Sequence, residues 1–89
     1  MKFQVGSLVE STYGKDKGQL YFIIEIDKNK AKLTNGSNRT YKKPKTKNLK
    51  HIILIKNCNL DFKLLNDCDI IYKIRVLSKV LKNKCGGQS

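Results

Sequence analysis

The chain is short of acidic residues: seven Asp and Glu stand against nineteen Lys and Arg, a formal net charge of +12 over 89 residues. No Asp or Glu occurs between Lys28 and Leu60, a stretch that holds ten of the basic residues. We therefore expect a basic face with no acid nearby, which attracts polyanions, nucleic acid before an anionic membrane. With only two arginines, Arg39 and Arg75, contacts to phosphates are favoured over base readout through Arg.

Long apolar runs are missing too. The longest, Ile52 to Ile55, is far too short to span a bilayer, and the N-terminus lacks the apolar core of a signal peptide. Three cysteines, an odd number at wide spacings, make no disulfide framework. We predict a cytoplasmic protein with no membrane partner.

Signatures of catalysis and metal binding are also missing. The sequence has no Walker loop, HExxH or GxSxG, and a chain of this length encloses no deep cleft. His51 and the three cysteines are potential zinc ligands, but none of them shows close C-x-x-C spacing. We predict no enzyme, no cofactor and no metal site. Cys68 is expected to pack in a helix's first turn, and His51 to lie in a strand at the margin of the basic patch.

The stretch from Val5 to Asp27 has the pattern strand, glycine-bracketed loop, strand. Gly14 and Gly18 allow positive φ, so the loop can turn tightly and bring Lys15 and Lys17 close to a partner. The first strand is predicted over Val5–Ser11. The second is predicted to place four apolar side chains on one side: Leu20, Phe22, Ile24 and Ile26.

This stretch resembles the KOW motif of ribosomal proteins and NusG-type transcription elongation factors. The matching positions are Gly6, Leu8, Val9, Gly14, Lys15, Asp16, Lys17 and Gly18, with the apolar strand behind them. With Asn35-Gly36 and TYKKPKTKNLKHI, the pattern is similar to small bacterial KOW-domain proteins related to an archaeal and eukaryotic large-subunit ribosomal protein family. The resemblance covers roughly the first two-thirds of the chain, as far as Ile53. It implies an SH3-like barrel and binding to RNA, ribosomal RNA in particular, with ribosomal proteins as further candidate partners in translation.

The residues themselves predict three further strands. Asp27–Lys30 is a turn before a strand at Ala31–Thr34, and Asn35-Gly36 favours a type I′ hairpin turn. The last two strands are predicted over Arg39–Lys43, ended by Pro44, and Leu49–Ile55. The fold class is mostly β, a small SH3-like (KOW) barrel of about five strands in residues 1–56, plus one amphipathic helix.

After a linker, the apolar period becomes helical from Asp67 to Asn83, with Asn66 as N-cap. Residues 57–84 form this linker and helix, and 85–89 a flexible tail. One stripe is predicted to be Ile70, Ile74, Leu77 and Leu81, flanked by Ile71 and Val80. It either covers the barrel of the same chain, giving a monomer, or pairs with a second copy or a protein partner.

Two functions follow. The first is a non-enzymatic RNA-binding protein; the second is a protein–protein adaptor that uses the barrel and the helix. Composition alone does not separate RNA from DNA. The candidate RNA-binding residues are Tyr13, Lys15, Lys17, Arg39, Lys42, Lys43, Lys45, Lys47 and Lys50, with Gly14 and Gly18 shaping the loop. Tyr13 is the best placed aromatic for stacking on unpaired bases, Tyr21 is expected in the core, and Tyr41 is left open.

Overall fold

The computed structural model describes the backbone of residues 3–86 and the side chains of residues 3–80. Its elements are β1 (Ser7–Ser11), β2 (Leu20–Asp27), β3 (Lys30–Thr34), β4 (Lys45–Asn48), a 3-10 turn (Leu49–His51), β5 (Ile52–Asn57) and α1 (Asp67–Gly86). The five strands form one antiparallel sheet in the order β4-β3-β2-β1-β5. The predicted mostly-β fold with a C-terminal helix is therefore confirmed. Over residues 3–86 no ladder joins β4 to β5, so the sheet is not closed.

The sheet has an apolar cluster on each face, and β2 contributes to both. Tyr21 and Ile23 belong to one cluster, whereas Phe22 belongs to the other. The register shifts between Ile23 and Glu25, so Ile24 is an extra residue and Ile26 packs with the Tyr21 side. The predicted single side for Leu20, Phe22, Ile24 and Ile26 is therefore wrong, because the bulge changes the alternation partway along the strand.

The connection from β3 to β4 is a wide loop rather than a tight hairpin. Gly36 has φ +76°, but Asn35 is not in the left-handed region that a type I′ turn requires at both positions. The Asn35 side chain instead accepts bonds from the backbone amides of Ser37 and Arg39, at 3.0 and 3.1 Å. The predicted strand at Arg39–Lys43 is therefore wrong. Pro44 precedes the strand rather than ending it.

The predicted fifth strand also begins later than expected. Leu49–His51 is a 3-10 turn, and β5 begins at Ile52. His51 is therefore not a strand residue, contrary to the expectation. The predicted turn at Asp27–Lys30 is confirmed, since these two residues pair across it and Lys28 has φ +56°.

Helix α1 begins as the sequence predicts. The Asn66 side chain accepts from the Asp69 amide at 2.9 Å, and the Asp69 carboxylate accepts from the Asn66 amide at 3.2 Å, a reciprocal capping arrangement. Ile70 is buried against Leu8 and Phe22, and Ile74 and Leu77 pack on the same cluster. These three residues thus pack on the sheet of their own chain.

The other predictions for the helix have mixed outcomes. The backbone is helical to Gly86, beyond the predicted end at Asn83, and the remainder of the predicted tail, residues 87–89, lies outside the described residues, as does the side chain of Leu81. Cys68 is exposed rather than packed, because it lies on the helix side that faces away from the sheet. Among the residues described, no helix has the length and apolar character that crossing a membrane requires.

Candidate nucleic-acid interface

The loop between β1 and β2 meets strand β4, although the two are about thirty residues apart in the chain. Gly14 and Gly18 have φ +91° and +92°, and the Gly18 amide donates to the Ser11 carbonyl at 2.8 Å, which folds the loop back on β1. This brings Asp16 to Lys47, whose Nζ lies 2.6 Å from Asp16 Oδ1. The β1–β2 loop and β4, which both carry predicted RNA-binding residues, are therefore neighbours in the fold.

Asp16 is the buried centre of this contact. Ser11 Oγ donates to Oδ1 at 2.9 Å and Tyr21 Oη to Oδ2 at 2.8 Å, while Lys45 Nζ lies 3.3 Å from Oδ2. Burial alone would raise the pKa of Asp16, but the hydrogen bonds from Lys47, Tyr21, Ser11 and Lys45 hold it well below its usual range. The carboxylate is thus charged and fully partnered, and it offers no negative charge to an outside ligand.

Sequence reasoning missed this role of Asp16. The expectation that the basic stretch has no acid nearby is wrong, because the fold brings the Asp16 carboxylate of the β1–β2 loop to Lys45 and Lys47. Lys47 is consequently buried beside Asp16 rather than exposed. The one local signal was an acid at the middle of a lysine loop, and that signal gives no indication of burial.

Tyr21 lies in the core, as predicted from its place between Leu20 and Phe22. Its burial, the hydrogen bond that it donates to Asp16 and the charge of Asp16 raise the pKa of Tyr21 to about 12, against an opposing effect of Arg39. Arg39 therefore lies within electrostatic reach of the same cluster.

Tyr13 and His51 form an aromatic pair beside this cluster. Their ring centroids are 4.5 Å apart and their planes differ by 21°, a stacked arrangement. The backbone on each side of the pair is fixed: the Thr12 amide donates to the His51 carbonyl at 2.8 Å, and Lys47 Nζ donates to the Tyr13 carbonyl at 2.9 Å. Tyr13 is nevertheless 64% exposed, so the fold holds a solvent-facing ring in a set position.

The other candidates differ in exposure. Those exposed are Lys15, Lys17, Lys42, Lys43 and Lys50, whereas Arg39 and Lys45 are partly buried. Within the described residues, salt bridges are formed only by Lys32 with Glu25 and by Lys45 and Lys47 with Asp16. The exposed candidates therefore have no carboxylate partner there.

Tyr41 has a different environment from Tyr13. Its ring is tilted against Phe62, with centroids 5.7 Å apart, and it is 48% exposed. Its amide donates to the Asp67 carboxylate at 3.0 Å, so it connects the β3–β4 loop to the start of α1. The structure thus gives Tyr41 a structural contact and does not place it with the Asp16 cluster.

Metal ligands do not converge in the described part of the chain. Cys58 is partly buried and Cys68 exposed, both as free thiols, and the side chain of Cys85 lies outside the described residues. Across the residues described, no three His, Cys, Asp or Glu side chains form a group that fits a metal ion.

Comparison with protein-family models gives no match, and comparison with curated proteins gives none. The fold and the site define a protein with a five-stranded antiparallel sheet, one C-terminal helix and a buried carboxylate that is paired with two lysines.

Proposed function

We propose that the protein binds RNA without catalysing a reaction, and that it acts with the ribosome or elsewhere in translation in the cytoplasm. The proposal includes an SH3-like (KOW) barrel as the finer description of the sheet, and a monomeric state when free. It rests on the KOW resemblance, the net charge of +12 and the arrangement around Asp16.

One observation carries the proposal: exposed lysines flank both members of the stacked Tyr13–His51 pair in the chain, and the Asp16 carboxylate of the same loop is already paired with Lys45 and Lys47. A cation without a local partner is available to a phosphate. We define the basic face as Lys15, Lys17, Arg39, Lys42, Lys43, Lys45 and Lys50. Lys47 is left out because its ammonium is buried against Asp16, whereas Lys45, which also pairs with Asp16, remains partly exposed.

Lys15, Lys17 and Lys50 are the first lysines to test. Each phosphate contact to single-stranded RNA contributes about 0.7 to the slope of log affinity against log salt, so about five contacts give a slope near −3.5. Replacing these three lysines with Gln is expected to flatten the slope by about 2. The RNA affinity should fall by a similar factor for every RNA sequence, because phosphate contacts carry no sequence information. The measurement is fluorescence anisotropy with a labelled oligonucleotide at several salt concentrations.

The matched control is the Gln triple variant of Lys56, Lys63 and Lys79. These lysines are exposed and their replacement changes the net charge equally. Lys56 pairs with Leu8 at the end of β1 that is remote from the loop, and Lys63 and Lys79 belong to neither the loop nor β4. Equal slopes for the two triple variants would contradict a localised face and indicate unspecific charge attraction.

Tyr13 tests whether the face takes an unpaired base. Stacking of a base on an aromatic ring contributes about 1–3 kcal/mol, so Tyr13→Ala should weaken single-stranded RNA binding by roughly 5- to 150-fold. Tyr13→Phe should bind like the parent, because the ring is retained. Affinity for a duplex of the same sequence should change little, since its bases are already stacked.

Tyr41→Ala is the comparison variant, since this ring is exposed but leans on Phe62. A larger loss of RNA affinity in Tyr41→Ala than in Tyr13→Ala would show that the base stacks on Tyr41 in the β3–β4 loop, and it would contradict the role proposed for Tyr13. Melting temperatures of the variants separate loss of binding from loss of the fold.

A further inference from the structure

Helix α1 carries a second apolar stripe that the sheet does not cover. Tyr72, Val76 and Val80 follow each other at four-residue intervals, so they lie on one side of the helix. They are 69%, 40% and 53% exposed, whereas Ile70 on the sheet side is buried. Single exposed apolar residues need no explanation, but an aligned set on one helix face indicates an interaction surface.

This stripe borders a groove of about 390 Å³ between α1 and the end of β5. Leu60 and Leu77 line the groove with apolar surface above the buried Phe22, and Tyr72 and Val76 form its helix side. The groove is thus continuous with the cluster that anchors the helix, so its shape is fixed by packed residues.

The two charged residues that line the groove in the described part of the chain are both lysines. Lys56 lines it from β5 and Lys73 lines it from α1. None of the described residues that line it is Asp or Glu. An apolar floor with cations on both sides matches a ligand that has apolar anchors and carboxylates.

We propose that this groove binds an acidic amphipathic helix of a partner protein. Aliphatic anchors of that helix lie on Leu60, Tyr72 and Val76, and its carboxylates face Lys56 and Lys73. A second copy of this chain fits less well, because a two-fold interface would bring Lys56 and Lys73 toward their own equivalents. RNA fits less well because, among the residues described, only two cations line the groove and its floor is apolar. This surface is separate from the basic face, so the protein would bind RNA and a protein partner at once.

The probe is a synthetic amphipathic peptide with Leu on one helical face and Glu on the other, and the control peptide has Lys in place of Glu. Titrated into the full-length protein, the Glu peptide should bind saturably and shift the methyl resonances of Val76. Salt should weaken this binding, and the Lys peptide should not bind. No saturable binding up to roughly millimolar peptide, or equal binding of the Lys peptide, would overturn the proposal.

Two variants locate the contact. Val76→Asp and Lys73→Glu should each lower the peptide affinity at least about tenfold, as loss of a central interface contact does. Lys28→Glu makes the same charge change in the β2–β3 turn and should leave the affinity within about twofold, since exposed charges away from an interface contribute little. An equal loss in Lys28→Glu would show general charge attraction and overturn the assignment.

RNA affinity and oligomeric state identify other occupants. Val76→Asp should leave both the RNA affinity and the sedimentation behaviour of the parent unchanged. A dimer in the parent that Val76→Asp dissociates would assign the groove to a second copy. A tenfold loss of RNA affinity in this variant would assign it to RNA. Either result overturns the proposal.

Discussion

Asp16→Ala is expected to lower the free energy of unfolding by about 3–5 kcal/mol, the loss that follows when one partner of a buried ion pair is removed. The Lys47 ammonium would remain buried without its carboxylate, and Ser11 and Tyr21 would lose their acceptor. A small domain has only about 5–15 kcal/mol of stability, so the variant should be close to unfolding. Urea denaturation measures this loss.

The exposed pair Lys32–Glu25 is the matched control, because it also joins a lysine to a carboxylate across the sheet. Glu25→Ala should cost less than about 1 kcal/mol, since surface ion pairs contribute little. The double variant Asp16→Ala/Lys47→Met should recover much of the stability, because replacing both partners by apolar groups removes the unpaired charge. A cost for Asp16→Ala no larger than that for Glu25→Ala would contradict the buried ion pair.

The pH dependence gives a second measurement of the same pair. A lowered pKa in the folded state means that the unfolded state takes up the proton first. The contribution of Asp16 is therefore complete above the unfolded pKa, about 3.9, and is lost as the pH falls toward the lower folded value. Asp16→Asn should remove this part of the acid dependence. An unchanged acid profile would show that Asp16 is not held in its charged form.

Gly36→Ala is expected to cost about 2–5 kcal/mol, from a left-handed backbone strain of about 1–2 and overpacking of about 1–3. Gly36 has φ +76°, and an added Cβ would overlap the Asp67 carbonyl and come within 3.0 Å of the Ile71 amide. Both neighbours are helix backbone, which moves only if the start of α1 moves. Hydrogen exchange should therefore show the loss of protection concentrated in the first turns of α1.

Gly18→Ala measures the backbone strain of an alanine at positive φ without the steric overlap that the added Cβ has at Gly36. Gly18 has φ +92°, which confirms the predicted positive φ in this loop, but a Cβ there would meet nothing within 4 Å. This variant should therefore cost only the backbone strain, about 1–2 kcal/mol. Equal melting temperatures of the two alanine variants would contradict the close packing of Gly36 against the start of α1.

Much of the fold could be read from local sequence. Turn residues between short apolar runs predict several strands, and Asn66 with the apolar period after Asp67 predicts where α1 begins. These features depend on residues within a few positions of one another. The predictions fail where another segment of the chain decides. The pairing of β2 with β3 contains a bulge at Ile24, which changes the side of β2 that faces each cluster, and the loop after β3 packs Gly36 against the start of α1.

For the candidate site, the sequence by itself determined the excess of lysine, the glycines that shape the loop and the presence of an aromatic ring beside them. Only the tertiary structure decided which of these lysines pair with a carboxylate and which remain available to a ligand. The fold brings β4, which pairs with β3, close to the β1–β2 loop, so Asp16 binds Lys45 and Lys47, and Lys47 fixes the carbonyl of Tyr13. The reason is physical: charge is a property of each residue, but burial and ion pairing depend on which distant residues the fold brings within a few ångströms.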